Sequence, residues 1–273
     1  MADAETDTFA LRSRAALRAL RDRALARPIL AAVAATALVS ALALAFPGID
    51  IALARVFHAP GVSPKTEFPL ENVWAFAALR RSGMAVTRWA VILLLLGVLA
   101  KIFVPMIARA LPTRKLLFLV ASLATGPGLL VNAFFKEVWG RPRPSETTLF
   151  GGDWTFLPAW IPGGACPTNC SFPSGEASGA AWLMALVFVV PESWRRATLA
   201  AVAAWMVVIS ANRIAFGSHF LSDVVIGWGL MLVVVLICRE MILLRLDEAT
   251  LARLDAALEA IGRRLTDPFR PRL

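Results

Sequence analysis

The chain has 273 residues, of which 58% are hydrophobic and only 17% charged, with a mean hydropathy of +0.68 and a net charge of +9. Soluble domains carry about 45–50% apolar and about 25% charged residues, so the composition excludes a disordered chain and speaks against a water-soluble globule. The length suits a single bundle of about six spans of about 20 residues each.

In chain order, residues 1–28 form a basic segment with Arg12, Arg14, Arg18, Arg21, Arg23 and Arg27. The first apolar run, Ile29 to Phe46, is free of charge. Ala43-Leu44-Ala45 resembles a signal cleavage site, but the charged region is long and the apolar run is at the long end for a signal, so an uncleaved span is expected. The second run is Trp89 to Ile107, interrupted by Lys101, and the third is Leu116 to Phe135. The fourth, Ala177 to Val190, is short unless its helix starts nearer Ser174. The fifth is Leu199 to Phe216 and the sixth Val224 to Leu244. The expected fold is therefore all-α, a polytopic six-span helix bundle over residues 29–244. Residues 245–273 form a tail in which Leu251, Leu254, Leu258, Ile261 and Leu265 recur three and four apart, the pattern of an amphipathic helix on a membrane surface.

Basic residues gather before the first span, in the loops after the second (Arg109, Arg114, Lys115) and fourth (Arg195, Arg196), and in the tail (Arg245, Arg253, Arg263, Arg264, Arg270, Arg272). The positive-inside rule then puts both termini in the cytoplasm and the loops at 47–88, 136–173 and 214–222 outside, which is the periplasm in a Gram-negative host. Arginines flanking spans favour membrane anchoring over a nucleic-acid site.

The polar residues at the outer ends of spans three to six are unevenly gathered. Lys136 ends the third span and Arg141-Pro142-Arg143-Pro144 follows; Pro173-Ser174-Gly175-Glu176 begins the fourth; Arg213 ends the fifth, His219 lies in the turn, and Asp223 begins the sixth. Charged groups at membrane depth are expensive and mark function. Lys136, Arg143 and Arg213 suit neutralisation of a phosphate and of the charge that builds on it during transfer. Ser174 and Gly175 sit where a helix start leaves backbone N–H groups for an anion. Neutral His219 is a nucleophile for phosphorus, with Asp223 four residues on to hold its other ring nitrogen. No metal and no cofactor are expected, because one imidazole and two carboxylates among three cations repel a divalent ion.

These segments resemble the three-part signature of the type-2 phosphatidic acid phosphatase superfamily. Its Lys-x6-Arg-Pro part is matched by Lys136 and Arg143-Pro144, its Pro-Ser-Gly-His part by Pro173-Ser174-Gly175 with Glu176 in the histidine position, and its Ser-Arg-x5-His-x3-Asp part by Arg213, His219 and Asp223 with Asn212 in the serine position. The resemblance implies a phosphohistidine on His219, assisted by Asp223, and a second group that protonates the leaving oxygen and then activates water. Glu176 is the residue placed for that second role; His58, the only other histidine, lies outside the motifs in the first outer loop and could substitute if folded inwards. The resemblance also implies a membrane lipid phosphate as substrate: lipid A, phosphatidylglycerol phosphate, phosphatidic acid or undecaprenyl diphosphate. Transfer to a second lipid instead of water, and a catalytically weak lipid-binding or transport protein, stand as alternatives. In loop 145–172, Trp154, Phe156, Trp160 and Ile161 suit a membrane interface. Cys166 and Cys170 are expected to form a disulfide on the outer side, and Cys238 to lie in a span.

Overall fold

A computed structural model describes residues 27–62, 67–104 and 110–266, and among these the chain is helical without a named strand. Five helices are long and apolar enough to cross a bilayer: α1 (Arg27–Ala45), α3 (Trp74–Phe103), α4 (Thr113–Val138), α6 (Glu192–Ala215) and α7 (Leu221–Arg245). A sixth apolar helix, α5 (Gly175–Phe188), is shorter. Between α1 and α3 lies α2 (Gly48–Val56), and after α7 comes α8 (Glu248–Thr266). The chain is thus a multi-pass membrane protein. The N-terminal arginines up to Arg23, Arg109, and Arg270 and Arg272 lie outside the described residues.

The short α5 spans further than its residue count suggests. Residues Leu183–Phe188 are wound as a 3-10 helix, which rises about 2.0 Å per residue against 1.5 Å, so α5 reaches about 24 Å. Its α-helical part is Gly175–Trp182, capped by the Ser174 side chain, and is buried almost throughout. It forms the axis of the bundle, packed against α7, α6 and α4. Small residues make that possible: Gly227 on α7 lets the backbones close, since a Cβ there would meet the Ser178 hydroxyl at 2.8 Å. Around this axis Val131, Ala180, Ala181, Val202, Met206, Ile209 and Met231 form the largest core cluster. In contrast, α1 and α3 carry exposed Leu30, Leu38, Trp89, Leu93 and Leu96, as lipid-facing helices should.

Two sequence expectations need correction here. The second span does not begin at Trp89: α3 starts fifteen residues earlier, and Arg80, Arg81 and Arg88 lie within it. Charges interrupt an apolar run without ending a helix, and this one continues past the apolar zone to bring Arg80 to the site described below. The segment 47–88 is accordingly not one loop, since it contains α2 and the first half of α3. At the opposite end, α8 packs on the ends of α3 and α4. Buried Lys101 bonds Asp255 at 2.9 Å, Arg114 pairs with Glu248 at 2.8 Å, and Gly262 lies so close to Ile102 that a side chain would clash with its carbonyl. Only one edge of the tail's apolar stripe meets protein: Leu251 is buried, while Leu254, Ile261 and Leu265 stay exposed.

Candidate functional site

At the other end of the bundle the predicted residues converge from four helices. The last turns of α4 are wound as a π-helix over Ala124–Phe135, around Pro127, which cannot donate to the helix ladder. The widened turn is held by Asn132, whose side-chain amide bonds the Pro127 carbonyl at 2.7 Å. It ends on buried Lys136, beside the first residue of α5: a Cβ on Gly175 would lie 3.0 Å from Lys136 Cε and 3.2 Å from Asn132 Oδ1. Glycine lets the helix start approach the lysine this closely; a larger residue would have to push the lysine and asparagine side chains aside by a few tenths of an ångström.

The disulfide loop locks the two cations of the first motif. Cys166 and Cys170 are bonded, and Asn169 between them adopts the left-handed region at φ 50°. Lys136 Nζ donates to Asn169 Oδ1 at 2.9 Å, and Arg143 Nη2 donates to the Asn169 carbonyl at 2.8 Å. Arg143 stands at the rim, its side chain partly exposed near Glu146.

Glu176 points between two arginines. Its Oε1 is 3.3 Å from Arg213 Nε on α6 and 3.5 Å from Arg80 Nε on α3. Arg213 is 2% exposed, yet its Nε and Nη1 are without a hydrogen-bond partner, as are Arg80 Nε and Glu176 Oε2. Buried guanidinium N–H groups left unbonded are costly and are the feature of a site shaped for an anion.

Ser174 serves mainly as the α5 cap. Its Oγ accepts from the Ala177 amide at 3.4 Å, and its own amide donates to the Asp223 carbonyl at 3.0 Å. The expected pair of anion-binding amides therefore narrows. Ser174 keeps only its hydroxyl proton for a ligand, while the amides of Gly175 and Glu176 are open by the geometry of a helix start.

His219 is 2% exposed and sits in the turn between α6 and α7, where Gly217 takes φ +61° and packs against the Phe68 ring. Here the structure corrects the expected direct His219–Asp223 bond. Nδ1 lies 3.8 Å from Asp223 Oδ2 and instead donates to the Ser171 carbonyl at 2.8 Å. A carbonyl accepts only, so Nδ1 carries the proton and Nε2 is the free base. Asp223 acts one step removed: Oδ2 accepts from Ser171 Oγ at 2.6 Å and from the Phe220 amide at 2.8 Å.

Behind Asp223 lies a buried layer absent from the motif reading. Fully buried Arg141, which the Lys-x6-Arg-Pro spacing passes over in favour of Arg143, donates through Nη1 to Asp223 Oδ1 and to Ser222 Oγ. Its Nη2 donates to Asp50 Oδ2 at 2.9 Å, and its Nε to the Leu157 carbonyl at 2.8 Å. The guanidinium also lies 4.7 Å from the Phe220 ring centroid. Asp50, from α2, in turn accepts from the Ser222 amide at 2.8 Å. The repeat Arg-Pro-Arg-Pro was the signal for Arg141, and a lone carboxylate just after the first span was the signal for Asp50.

The other expectations separate cleanly. His58 is not among these residues. It pairs with Glu67 at 2.6 Å and meets the Phe68 ring at a tilt and the Phe150 ring edge-on. Asn212 donates to the Phe76 carbonyl at 3.0 Å and so ties α6 to α3. Among the described residues there is no group of three or more His, Cys, Asp or Glu side chains able to hold a metal.

The charges thus fall into two layers. Asp50 and Asp223 are matched by Arg141 at the back. Lys136, Arg80 and Arg213 lie around Glu176 at the front, with Arg143 at the rim beside Glu146, a cationic surplus suited to a phosphate dianion. Burial pushes the His219 imidazole down to about 3, with Lys136 and Arg213 adding to the effect and Asp223 opposing it. The ring is therefore neutral at physiological pH. Because only the unfolded chain takes up this proton, the shift contributes stability above pH ~6.5 that is lost as pH falls toward ~3. With two histidines in the chain, 15N-histidine NMR in detergent reads both protonation and tautomer, and a His58→Gln variant assigns the signals. The His219 nitrogens are expected to hold a protonated Nδ1 and a bare Nε2 from pH 8 down to about 4.5. A midpoint near 6.5 would refute the burial argument.

Comparison with known proteins agrees with this arrangement. The family model described as the PAP2 superfamily matches residues 115–246. A lipid A 4'-phosphatase of Rhizobium leguminosarum is 40% identical over 200 residues, covering 70% of this chain and 85% of that one. Lipid A 4'-phosphatases of Rhizobium etli and Francisella tularensis subsp. novicida are 50% and 42% identical over 121 and 116 residues. These stretches cover 44% and 41% of this chain, and 47% and 51% of theirs. The crystal structure of a transmembrane PAP2-type phosphatidylglycerolphosphate phosphatase from Bacillus subtilis superposes with a TM-score of 0.52 at 18% identity, over 78% of this chain and 94% of that one. At that identity the match shows the fold.

Proposed function

The chain belongs to the PAP2 superfamily, and from that premise we propose that it is a membrane phosphatase that removes a phosphate from the sugar headgroup of lipid A through a phosphohistidine on His219. The observation that carries the mechanism is the orientation of that imidazole. Nδ1 is spent on the Ser171 carbonyl, so Nε2 is the basic nitrogen, beside the charges of Lys136 and Arg213. The choice of lipid A rests on the relatives of Rhizobium and Francisella.

In the first step Nε2 attacks phosphorus, the N–P bond forms and the ester P–O bond breaks. The incoming phosphate takes over the Arg213 and Arg80 charges that face Glu176 in the free protein, so Glu176 takes up a proton as substrate binds and gives it to the leaving sugar oxygen. The phosphorylated ring is cationic, and Asp223, reached through Ser171 Oγ, stabilises it without itself taking a proton. Lys136, Arg143 and Arg213, with the Gly175 and Glu176 amides, hold the three equatorial oxygens. In the second step Glu176, now a carboxylate, takes a proton from water as its oxygen bonds phosphorus. The N–P bond breaks, and inorganic phosphate and the neutral imidazole are restored. The site lies at the end of the bundle opposite α8. With α8 and the basic loops in the cytoplasm, it faces the outer leaflet of the inner membrane, where the lipid presents its headgroup.

The test is phosphate release from purified lipid A by the protein in detergent, alongside Glu176→Gln. General acid–base catalysis contributes about 10²–10⁴-fold, and the variant is expected to fall within that range. With an activated aryl phosphate, whose leaving group needs no acid, acid-labile, alkali-stable phosphate should accumulate on His219 in this variant, because hydrolysis of the intermediate loses its base. Phosphate passed quantitatively to a second lipid in place of water would establish a phosphotransferase instead. Parent protein that releases no phosphate from any lipid phosphate sinks the reading altogether.

A further inference from the structure

We propose that Asn169, which belongs to none of the three motifs, is a positioning residue for phosphoryl transfer: it sets the gap between Lys136 and Arg143, and the Cys166–Cys170 bond sets Asn169. This rests on the phosphatase reading above.

Lys136 lies in the last turn of α4, while Arg143 lies beyond it in extended chain, so no helix fixes their separation. The two cations are close enough to repel each other. Asn169 answers that repulsion with both of its oxygens. Its Oδ1 accepts from Lys136 Nζ at 2.9 Å, and its main-chain carbonyl accepts from Arg143 Nη2 at 2.8 Å. An ammonium and a guanidinium each carry more N–H donors than these bonds use, so both cations keep donors for a phosphate while their heads are held. The residue type fits the task. At φ 50° the backbone is in the left-handed region, which asparagine enters more readily than most side chains. Aspartate shares that tolerance, but its charge would offset the lysine and repel the incoming dianion. An amide holds the lysine and leaves its charge for the phosphate.

The disulfide fixes where those oxygens lie. Cys166 and Cys170 are both buried, while Asn169 between them is exposed. The Cys166 amide donates to the Gly140 carbonyl at 3.2 Å, the Cys170 amide to the Lys136 carbonyl at 3.0 Å, and the Ser171 amide to the Arg141 carbonyl at 2.9 Å, so the loop is laid along the first motif. On the far side of Cys170, the Ser171 carbonyl accepts from His219 Nδ1 at 2.8 Å. One pinned cysteine thus stands between the residue that holds the cations and the residue that orients the nucleophile. Transfer needs a fixed distance between the two, and a displacement of about 1 Å can cost about 10²-fold.

The experiment uses the full chain in detergent, with lipid A as substrate and inorganic vanadate as a probe that takes the trigonal-bipyramidal shape of phosphorus in transfer. Asn169→Gly keeps the left-handed backbone and the carbonyl for Arg143, and removes only the acceptor for Lys136. It is expected to lower kcat about 10–100-fold, the scale of one hydrogen bond to a charged group, with KM within about threefold. Vanadate affinity should fall by the same factor as kcat/KM, while the unfolding temperature and the His219 15N signals stay parental. In a Lys136→Ala background the same change should cost less than about twofold more, because Asn169 acts through the lysine. Cys166→Ser with Cys170→Ser should lose more than Asn169→Gly and disturb the His219 signals as well, since it frees both neighbours of Cys170. Parental kcat and vanadate affinity in Asn169→Gly overturn the proposal. So do losses that add in full on Lys136→Ala, or a folded double-serine variant with the parental rate. Should the double-serine variant fail to fold, exposed Asn169 still gives the decisive comparison through Asn169→Gly. If the parent hydrolyses no lipid phosphate, the phosphatase reading falls; vanadate affinity then still compares parent with Asn169→Gly, and equal affinities overturn the clamp.

Discussion

His219→Ala is expected to lower phosphate release from lipid A by at least about 10⁴-fold, the scale on which a covalent nucleophile is lost. The residual rate would come from the cationic front layer, which still binds and polarises the phosphate with no nitrogen to receive it. Stability should change little by comparison. The ring bonds the Ser171 carbonyl at 2.8 Å and lies 3.4 Å from the Ser171 hydroxyl; losing it costs about 1–3 kcal/mol and leaves the Ser171–Asp223 bond in place. Activity and unfolding temperature should therefore separate, and chemical rescue sharpens the distinction. Millimolar imidazole can occupy the space left by the ring and accept the phosphoryl group on its own nitrogen. Partial recovery of phosphate release with imidazole is the expected result. An alanine variant with parental activity, or one equally inactive and grossly unfolded with no rescue, would remove His219 from the centre of the mechanism.

The bundle itself was largely legible because hydropathy reports directly on the bilayer. Runs such as Leu116 to Phe135 coincide with α4, and the charge-free run after residue 28 coincides with α1. The ends of helices were less legible where function overrides hydropathy. At the start of α3, Arg80, Arg81 and Arg88 interrupt the apolar run while the helix continues, and one of them reaches Glu176. In the site, the residues with a fixed local spacing could be gathered from sequence, since Arg213, His219 and Asp223 span a single helix–turn–helix. The supporting layer could not. Arg141 meets Asp50 across 91 residues and Asp223 across 82, and Ser171 meets Asp223 across 52. No periodicity records such pairings; only the three-dimensional closure of α2, the disulfide loop and α7 creates them. The same closure explains why Asp223 acts through Ser171. The carboxylate is already turned back to cap α7 at the Phe220 amide and to meet Arg141, which leaves the Ser171 carbonyl as the nearest acceptor for the imidazole.

That supporting layer gives the largest expected effect on stability. Arg141→Ala should cost about 3–5 kcal/mol, because it strands Asp50 and Asp223 as buried carboxylates with no countercharge. For a chain of this size that is a fall of roughly 10 °C in unfolding temperature, measurable by intrinsic tryptophan fluorescence in detergent. Arg141→Lys should recover little of it. The arginine fork bonds Asp50, Asp223, Ser222 and the Leu157 carbonyl at once, and a single ammonium cannot reach both carboxylates while keeping the others. Asp50→Asn is the graded comparison. It keeps an acceptor for the Ser222 amide, leaves Arg141 paired with Asp223, and should lose about half as much or less. The two changes should also differ at the reaction centre. Freeing Asp223 from Arg141 leaves its charge uncompensated beside the Ser171–His219 pair, which favours a proton on the imidazole. The 15N signals of His219 should then begin to titrate at a higher pH in Arg141→Lys than in the parent, and remain near parental values in Asp50→Asn. An Arg141→Ala protein that unfolds within 2 °C of the parent, with an unchanged His219 spectrum, would mean that the two carboxylates find other partners and that the buried layer does not hold the nucleophile in place.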